Sequence, residues 1–458
     1  MLSKSTLSKI SFLCLSVIFI CTYPLYSATI YVYPWESTIQ DGIDSANSGD
    51  TVLVDKPVGP YQYTGTGNCD ISFHGKQIVL KSIHGPEYTP IDLEGSGTRA
   101  FIFNEGESSS AKLIGFKIKN GDVRYHNDSN NMADRNGGAI KLQASPVIEN
   151  CIFENCMGEY GGAIYIKSVS GDTLVTPIII DCEFIADSAL YEYSSTSDYS
   201  GGAIYCGSGA NPTITDCIFT NNFAWAYGGA ISGINATINN CLFYLNSTDD
   251  TYGGAAGGAV FIADSMTIRG CTISKNYSPN GGGIYAGENS SSYIANNIIA
   301  FNYFTGIKCY NNACITFSCN NFWNHSGGHI IGYCDTTDVD MFTIFEDPLF
   351  CDISINNYYI SSYSPCDEDS SNCGILIGKY NDNCDYCCNN PGDVNNDGVV
   401  NILDTSFLTD YLYRGGNPPP CPDEADPNND CSINILDVTQ IINYLYNGGP
   451  APECGCIL

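Results

Sequence analysis

Six glycine pairs recur along the middle of this chain, and they restrict its fold more than any other feature. The tetrad "GGAI" or a near match begins at Gly137, Gly161, Gly201, Gly228 and Gly257, and "GGGI" begins at Gly281, at intervals of 24, 40, 27, 29 and 24 residues. Self-similarity on this scale is the mark of stacked supersecondary units that bury a continuous core against one another. The longest interval contains "YEYSSTSDYS", a polar stretch that reads as an inserted loop. A second element follows each pair: Ile148-Cys151-Phe153, Ile179-Cys182-Phe184, Ile214-Cys217-Phe219, Ile238-Cys241-Phe243, Ile268-Cys271-Ile273 and Ile294-Asn297-Ile299. Just before the cysteine column stand Asn150, Asp181, Asp216, Asn240, Gly270 and Asn296. These residue types tolerate a left-handed backbone, so each repeat is expected to bend there between two short strands. Three residues beyond the aromatic column run Asp187, Asn222, Asn246, Asn276 and Asn302, placed to hydrogen-bond from repeat to repeat.

Helical repeats are excluded, because glycine pairs and strand alternation would break each helix. A missing leucine ladder excludes leucine-rich repeats. What remains is a parallel β-helix, in which each coil of two or three short strands pairs with the coils above and below. At the start, "STIQDGIDSANSGDTVLV" places Ile39 and Ile43 four apart, as in a short helix able to cover the open end of the first coil. With the strands "GKQIVLKS" and "AKLIGFKIKN", the chain from Ala28 to Tyr386 resembles the pectin-lyase-like right-handed parallel β-helix superfamily. The "GGAI" and "F-x-x-N" pairing is similar to the repeats of chlamydial polymorphic outer-membrane proteins and related bacterial surface proteins. That resemblance implies a fold but leaves function open, since such scaffolds serve as lyases, hydrolases, adhesins and spacers alike. "DPLF" at Asp347 to Phe350 resembles the run-out of such a solenoid.

The pattern changes at "NNPG". "DVNNDGVVNILD" sets Asp393, Asn395, Asp397, Asn401 and Asp404 at loop positions 1, 3, 5, 9 and 12, with Gly398 at 6 and the Val399 carbonyl at 7. Alternate residues of a tight loop converge there on one hard cation, the spacing of an EF-hand calcium loop. "DPNNDCSINILD" repeats it 33 residues later with Asp426, Asn428, Asp430, the Ser432 carbonyl, Asn434 and Asp437. Each loop runs into a helical pattern ended by glycines. The tandem lacks clear entering helices and closes on aspartate, so from about Gly392 to Pro450 it resembles a type I dockerin domain. By that resemblance it holds two Ca2+ ions and docks to a cohesin domain on another protein. Ile402-Leu403 and Ile435-Leu436 occupy the positions that carry partner choice in cellulosomal dockerins, where hydroxylic residues are usual. Cys431 stands where the second loop should have glycine, which predicts a weaker second site.

Lysine plus arginine number 18 against 49 aspartate plus glutamate, a formal charge of −31 that repels phosphate backbones and argues against nucleic-acid partners. Lys4, Lys9 and the apolar stretch from Ile10 to Cys21 predict a signal peptide cleaved after Ser27, hence a secreted or cell-surface protein with no transmembrane segment in the mature chain. In such a compartment the 24 cysteines divide. Those in the repeat are expected to be small buried hydrophobes. Cys366, Cys373, Cys384, Cys387 and Cys388 are the better disulfide candidates.

Expected organisation is therefore a signal peptide over 1–27, a mainly β right-handed parallel β-helix over 28–388, and an α-helical two-loop dockerin over 392–454. No "NTD", "GHG" or "RIK" signature of polygalacturonases occurs. Arg269 is expected to point outward without acids in its column, and His325 and His329, four apart in a glycine-rich turn, are not expected to share a face. Trp225 and the many tyrosines read as packing more readily than as sugar platforms. Two functional classes follow: a non-catalytic scaffold, adhesin or carbohydrate-binding surface docked through its dockerin, or a polysaccharide lyase or O-glycosyl hydrolase delivered to a multienzyme complex. A groove with three acids and a base in mutual reach would favour the second.

Overall fold

The computed structural model describes residues 27–59, 62–124, 134–170, 173–190, 200–249, 254–334, 339–382, 384, 388, 390–430 and 432–455. The expected signal peptide, apart from Ser27, lies outside them, as do Cys387 and Cys431.

Strands of three or four residues wind into parallel sheets, and their register is the sequence repeat made visible. The apolar residue after each glycine pair stacks on its counterpart: Ile140 on Ile164, Ile164 on Ile204, Ile204 on Ile231, Ile231 on Val260 and Val260 on Ile284. We refer to this as the glycine sheet. The isoleucine sheet runs from Ile30 through Val52, Leu80, Leu113, Ile148, Ile179, Ile214, Ile238, Ile268 and Ile294 to Phe317. In the phenylalanine sheet, Phe153, Phe184, Phe219 and Phe243 stack with ring centroids 4.7–4.8 Å apart, the spacing of paired strands. All these side chains except the half-buried Ile30 are buried and form one continuous core.

The glycine pairs do lie one above another, and each member has its own reason. The first has φ between 60° and 73° at Gly137, Gly161, Gly201, Gly228, Gly257 and Gly281. The second has no room for a side chain: a Cβ on Gly162, Gly202, Gly229 or Gly258 would fall closer than 3.0 Å to the carbonyl oxygen of the glycine in the next coil. Gly202 N donates to Gly228 O at 2.9 Å and Gly229 N to Gly257 O at 3.0 Å, so backbone packs directly on backbone.

The predicted left-handed column is present, with φ of 49–62° from Asn150 to Asn296. A second bend of the same kind follows the phenylalanine strand and includes Ala186, Leu245, Lys275 and Phe301, residues that gave no sign of it. The capping helix α1 spans Ile39–Ser45, opened by a reciprocal Thr38–Asp41 capping box, and buries Ile39 and Ile43 as expected. Two departures concern the strands. In Ile231–Asn239 and Val260–Arg269 the glycine-sheet and isoleucine-sheet strands run into one another without a turn. The predicted run-out instead folds back over the phenylalanine sheet: Ile360, Cys366 and Ile377 pack on Ile298 and Ala300, and Lys379 Nζ reaches Asn240 O at 2.7 Å.

The amide series forms a buried ladder. Asn222, Asn246 and Asn276 each donate their backbone N–H and side-chain N–H to the Oδ1 of the next member, at 2.9–3.1 Å, ending on Asn302. Asp187 tops the ladder: its Oδ1 accepts from Cys156 N at 2.8 Å, while its buried Oδ2 has no hydrogen-bond partner among the described residues. Burial drives its carboxyl well above the ordinary 3.8. A raised folded-state pKa means that the native state binds the proton more tightly than the unfolded one, so stability is full below about pH 4 and falls as the pH rises toward the folded pKa. Asp187→Asn supplies a neutral amide and is expected to raise stability at pH 7 by about 2 kcal/mol. It should also remove that falling limb, as read by urea midpoints between pH 4 and pH 8; equal midpoints at every pH would refute it.

Repeat cysteines Cys151, Cys182, Cys217, Cys241 and Cys271 are buried free thiols, as expected. Of the predicted disulfide cluster, Cys373 pairs with Cys319, Cys384 with Cys351 and Cys388 with Cys454. Cys366 corrects the expectation: it is a free thiol, because it sits in the apolar contact beneath the returning segment and accepts from Asn321 Nδ2 at 3.0 Å.

Candidate functional site

Each C-terminal loop is wound by its own side chains. In the first, Asp393 accepts Asp397 N on Oδ1 at 3.0 Å and Gly398 N on Oδ2 at 2.7 Å, and Asn395 Oδ1 accepts Asp397 N at 2.9 Å. The loop turns at Gly398 with φ 89°, where added atoms would meet nothing, so the glycine is there for conformation. Asn401 then caps helix α2, Ile402–Arg414, in a capping box with Asp404. Asp404 is fully buried and accepts Asn401 N at 2.8 Å and Asn395 N at 3.1 Å, tying loop start to helix start.

The second loop repeats this around Asp426, Asn428 and Asp430, with Asp430 N donating to Asp426 Oδ1 at 3.1 Å and to Asn428 Oδ1 at 2.9 Å. Asn434 caps helix α3, Ile435–Asn447, and pairs with Asp437. Among the described residues no α-helix runs directly into either loop, in line with the tandem's expected form. Asn401 Nδ2 donates to the Val399 carbonyl at 2.9 Å and Asn434 Nδ2 to the Ser432 carbonyl at 2.8 Å, so the position-7 oxygens are held in the two loops alike.

The electrostatics of the two closing aspartates agree. Burial, reinforced by Asp426 and Asp430, pushes Asp437 up to about 6, and burial with Asp393 and Asp397 raises Asp404. Asp437 Oδ1 is buried with no hydrogen-bond partner among the described residues. Crowded acids around an unmatched buried oxygen are what a bound cation would relieve. Among the described residues no three His, Cys, Asp or Glu side chains by themselves form a metal-holding group; these loops mix carboxylates with amide and main-chain oxygens, donors suited to a hard ion.

The module's core is Val394, Leu408, Ala425, Val438 and Ile441, and it does not use the Ile-Leu pairs. Ile402 and Leu403 are 46% and 57% exposed, Ile435 and Leu436 47% and 57%. About three turns further along each helix stand Tyr413 and Tyr446, also exposed. Duplicate loops thus present duplicate apolar faces. The chain entering the module is joined to the chain leaving it by Cys388–Cys454, with Gly392 N on Glu424 O at 2.9 Å and Gly455 N on Asp423 O at 2.8 Å. For a closure of 66 residues, the loss of unfolded-state entropy stabilises by about 4 kcal/mol. Cys388→Ser with Cys454→Ser is expected to lower module stability by that order in calcium-free buffer, measured by urea titration of the full chain with hydrogen exchange read over residues 391–446; no change would contradict it.

In the β-helix, Arg269 is exposed as expected and lies over the Tyr293 ring, 5.1 Å from its centroid. Its column neighbours Asn239 and Ala295 carry no charge. Lys117 reaches Glu154 at 2.7 Å and Glu87 at 3.7 Å, and Lys119 reaches Asp92 at 2.9 Å; among the described residues no base holds three acids. His325 and His329 overturn their expectation. The turn folds so that their Nδ1 atoms lie 2.9 Å apart, and burial with its neighbour's charge pushes His325 down to about 3. His325 Nε2 meets Asn302 Nδ2 at 3.4 Å, so the pair ends the amide ladder. Trp225 is 39% exposed.

No helix among the described residues is long and apolar enough to cross a membrane. Residues 189–344 match the right-handed beta helix region family, and residues 391–446 match the dockerin type I domain family. No curated protein matches the chain. Among solved structures it is similar to the crystal structure of pectate lyase Pel9A, with 13% identity, a TM-score of 0.43, and coverage of 78% of this chain and 97% of that one. This chain is a right-handed parallel β-helix followed by a type I dockerin domain.

Proposed function

We propose that this is a secreted modular protein whose dockerin binds two calcium ions, docks to a cohesin-type domain and thereby displays the β-helix as a scaffold, adhesin or carbohydrate-binding surface. The observation that carries it is the duplication: two oxygen-lined loops, each closing on a buried aspartate and opening directly onto an exposed Ile-Leu pair. Asp393, Asn395, Asp397, Val399, Asn401 and Asp404 would hold one ion, and Asp426, Asn428, Asp430, Ser432, Asn434 and Asp437 the other, through oxygens alone. Bound calcium would neutralise the crowded carboxylates and fix the start of each helix, which is where Ile402, Leu403, Ile435 and Leu436 project. Several disulfides support an oxidising destination, and the organisation into leader, solenoid and docking module follows the boundaries 1–27, 28–388 and 392–454.

The test is capture of the full chain on immobilised type I cohesin domains in calcium. Changing Ile402, Leu403, Ile435 and Leu436 together to Asp is expected to weaken capture by about 100-fold or more, as loss of central apolar anchors does. Capture by none of a broad cohesin set, or unchanged capture of the fourfold variant, would overturn the proposal.

A further inference from the structure

Of the three long sheets described above, the isoleucine sheet carries an open cleft on its outer face. Across the phenylalanine sheet the returning segment buries Ile298 and Ala300. Along the glycine sheet the outward row is filled by aromatic stacking, Tyr165 on Tyr205 at 5.6 Å and Phe261 on Tyr285 at 5.5 Å, with Tyr165 and Phe261 only 8% and 5% exposed. The isoleucine sheet differs. Thr213, Thr237 and Thr267 stand in register on its outer side, Asn235 pairs with Ser265 beside them, and Tyr293 continues the threonine row.

A cleft of about 390 Å³ opens here, lined by Leu174, Asn211, Asn235, Ala236, Thr237, Ser265 and Thr267. That volume lies within the range of small-molecule sites. Five of the seven lining side chains are hydroxyls or amides, and all five are exposed or half-buried. Among the described residues no titratable group lines the cleft, on a chain carrying −31. The cation next to it, Arg269, lies against the Tyr293 ring.

We infer that this cleft binds a segment of an uncharged polysaccharide. Hydroxyl and amide rows that both donate and accept match the hydroxyls of neutral pyranoses. A uronate chain would meet no cation in the cleft and a strongly negative protein around it. A protein partner would require an apolar centre, and the cleft offers one exposed leucine. Tyr293, oriented by Arg269, supplies an aromatic surface at the end of the threonine row. The inference deepens the display function proposed above by naming what the solenoid presents, and it is tested separately from docking.

The experiment is affinity electrophoresis of the full chain in gels containing soluble xylan, xyloglucan, mixed-linkage β-glucan or polygalacturonate, with cohesin capture measured in parallel. At least one neutral glycan is expected to retard the chain, and polygalacturonate is not. Combining Asn235→Ala, Thr237→Ala and Thr267→Ala should weaken retardation at least tenfold, and Ser265→Trp, which fills the cleft while leaving those three residues unchanged, should do the same; both variants should keep cohesin capture. Retardation by no neutral glycan, equal retardation of both variants, or retardation by polygalacturonate that the variants abolish would overturn the inference. Because capture is read independently, loss of glycan binding with capture intact would leave the docking proposal standing.

Discussion

Substituting Ala for Asp404 and Asp437 together is expected to abolish calcium-linked stability of the C-terminal module and its docking. Each aspartate does two things at once. As the closing loop residue it would supply the ion with a buried carboxylate, and as the N3 residue of its helix it accepts the capping asparagine's backbone N–H at 2.8 Å. Loss of the cap alone costs about 1 kcal/mol per helix. Loss of the ion removes the mass-action term, about 2.7 kcal/mol per site at calcium 100-fold above Kd. Asn at both positions separates the two effects, since an amide oxygen can still accept the cap hydrogen bond while the charge is gone. The Asp→Asn pair should keep its calcium-free stability near that of the parent and lose the calcium-dependent increase. Thermal unfolding of the full chain with and without calcium reads both. A calcium-dependent shift that survives in the double Ala variant would show that these residues are not ligands.

Gly202→Ala is expected to destabilise the solenoid by about 3 kcal/mol, although it adds a single methyl group. The added carbon would be driven into Gly229 O of the next coil, and neither partner can withdraw because both belong to backbone fixed by ladder hydrogen bonds. Gly95→Ala is the contrasting case. Gly95 has φ 70° and nothing within 4 Å of an added Cβ, so only the left-handed conformation is penalised, at about 1 kcal/mol. Gly202 itself lies outside the left-handed region, so its penalty is contact alone, whereas that of Gly95 is conformation alone. A Gly202→Ala urea midpoint no lower than that of Gly95→Ala would mean that coil-on-coil contact is not what excludes a side chain there.

The stacking was legible wherever a residue type has a single structural use. Glycine pairs, the Asn/Asp bend, the aromatic column and the amide ladder all fall where the repeat put them, because each sits at a position few other residues could fill. The second bend was not legible: Ala186, Leu245, Lys275 and Phe301 adopt left-handed backbone with no residue preference to announce it, held there by the strands on either side. Spacing along the chain also failed for His325 and His329, since a turn brings residues together in ways helical or strand periodicity does not describe. The returning segment escaped notice because Ile360 and Ile377 are too few to mark a periodic element, and their partners lie far back in sequence. In the module the loops were readable from oxygen spacing. Exposure of the Ile-Leu pairs was not, as apolar residues at a helix start serve a core or a partner equally well until the core is seen to close without them.

If divalent metal organises a C-terminal clasp that grips a partner while the solenoid stands independently of it, chelation will change the one and spare the other. Because Cys388–Cys454 keeps the module's ends together, overall size will not report the change, and amide hydrogen exchange read peptide by peptide will. Adding a calcium chelator to the full chain should strip protection from α2, α3 and both loops and release the chain from immobilised cohesin, with peptides of the phenylalanine ladder unchanged. Undiminished protection in those helices together with undiminished capture, in the complete absence of calcium, would contradict it.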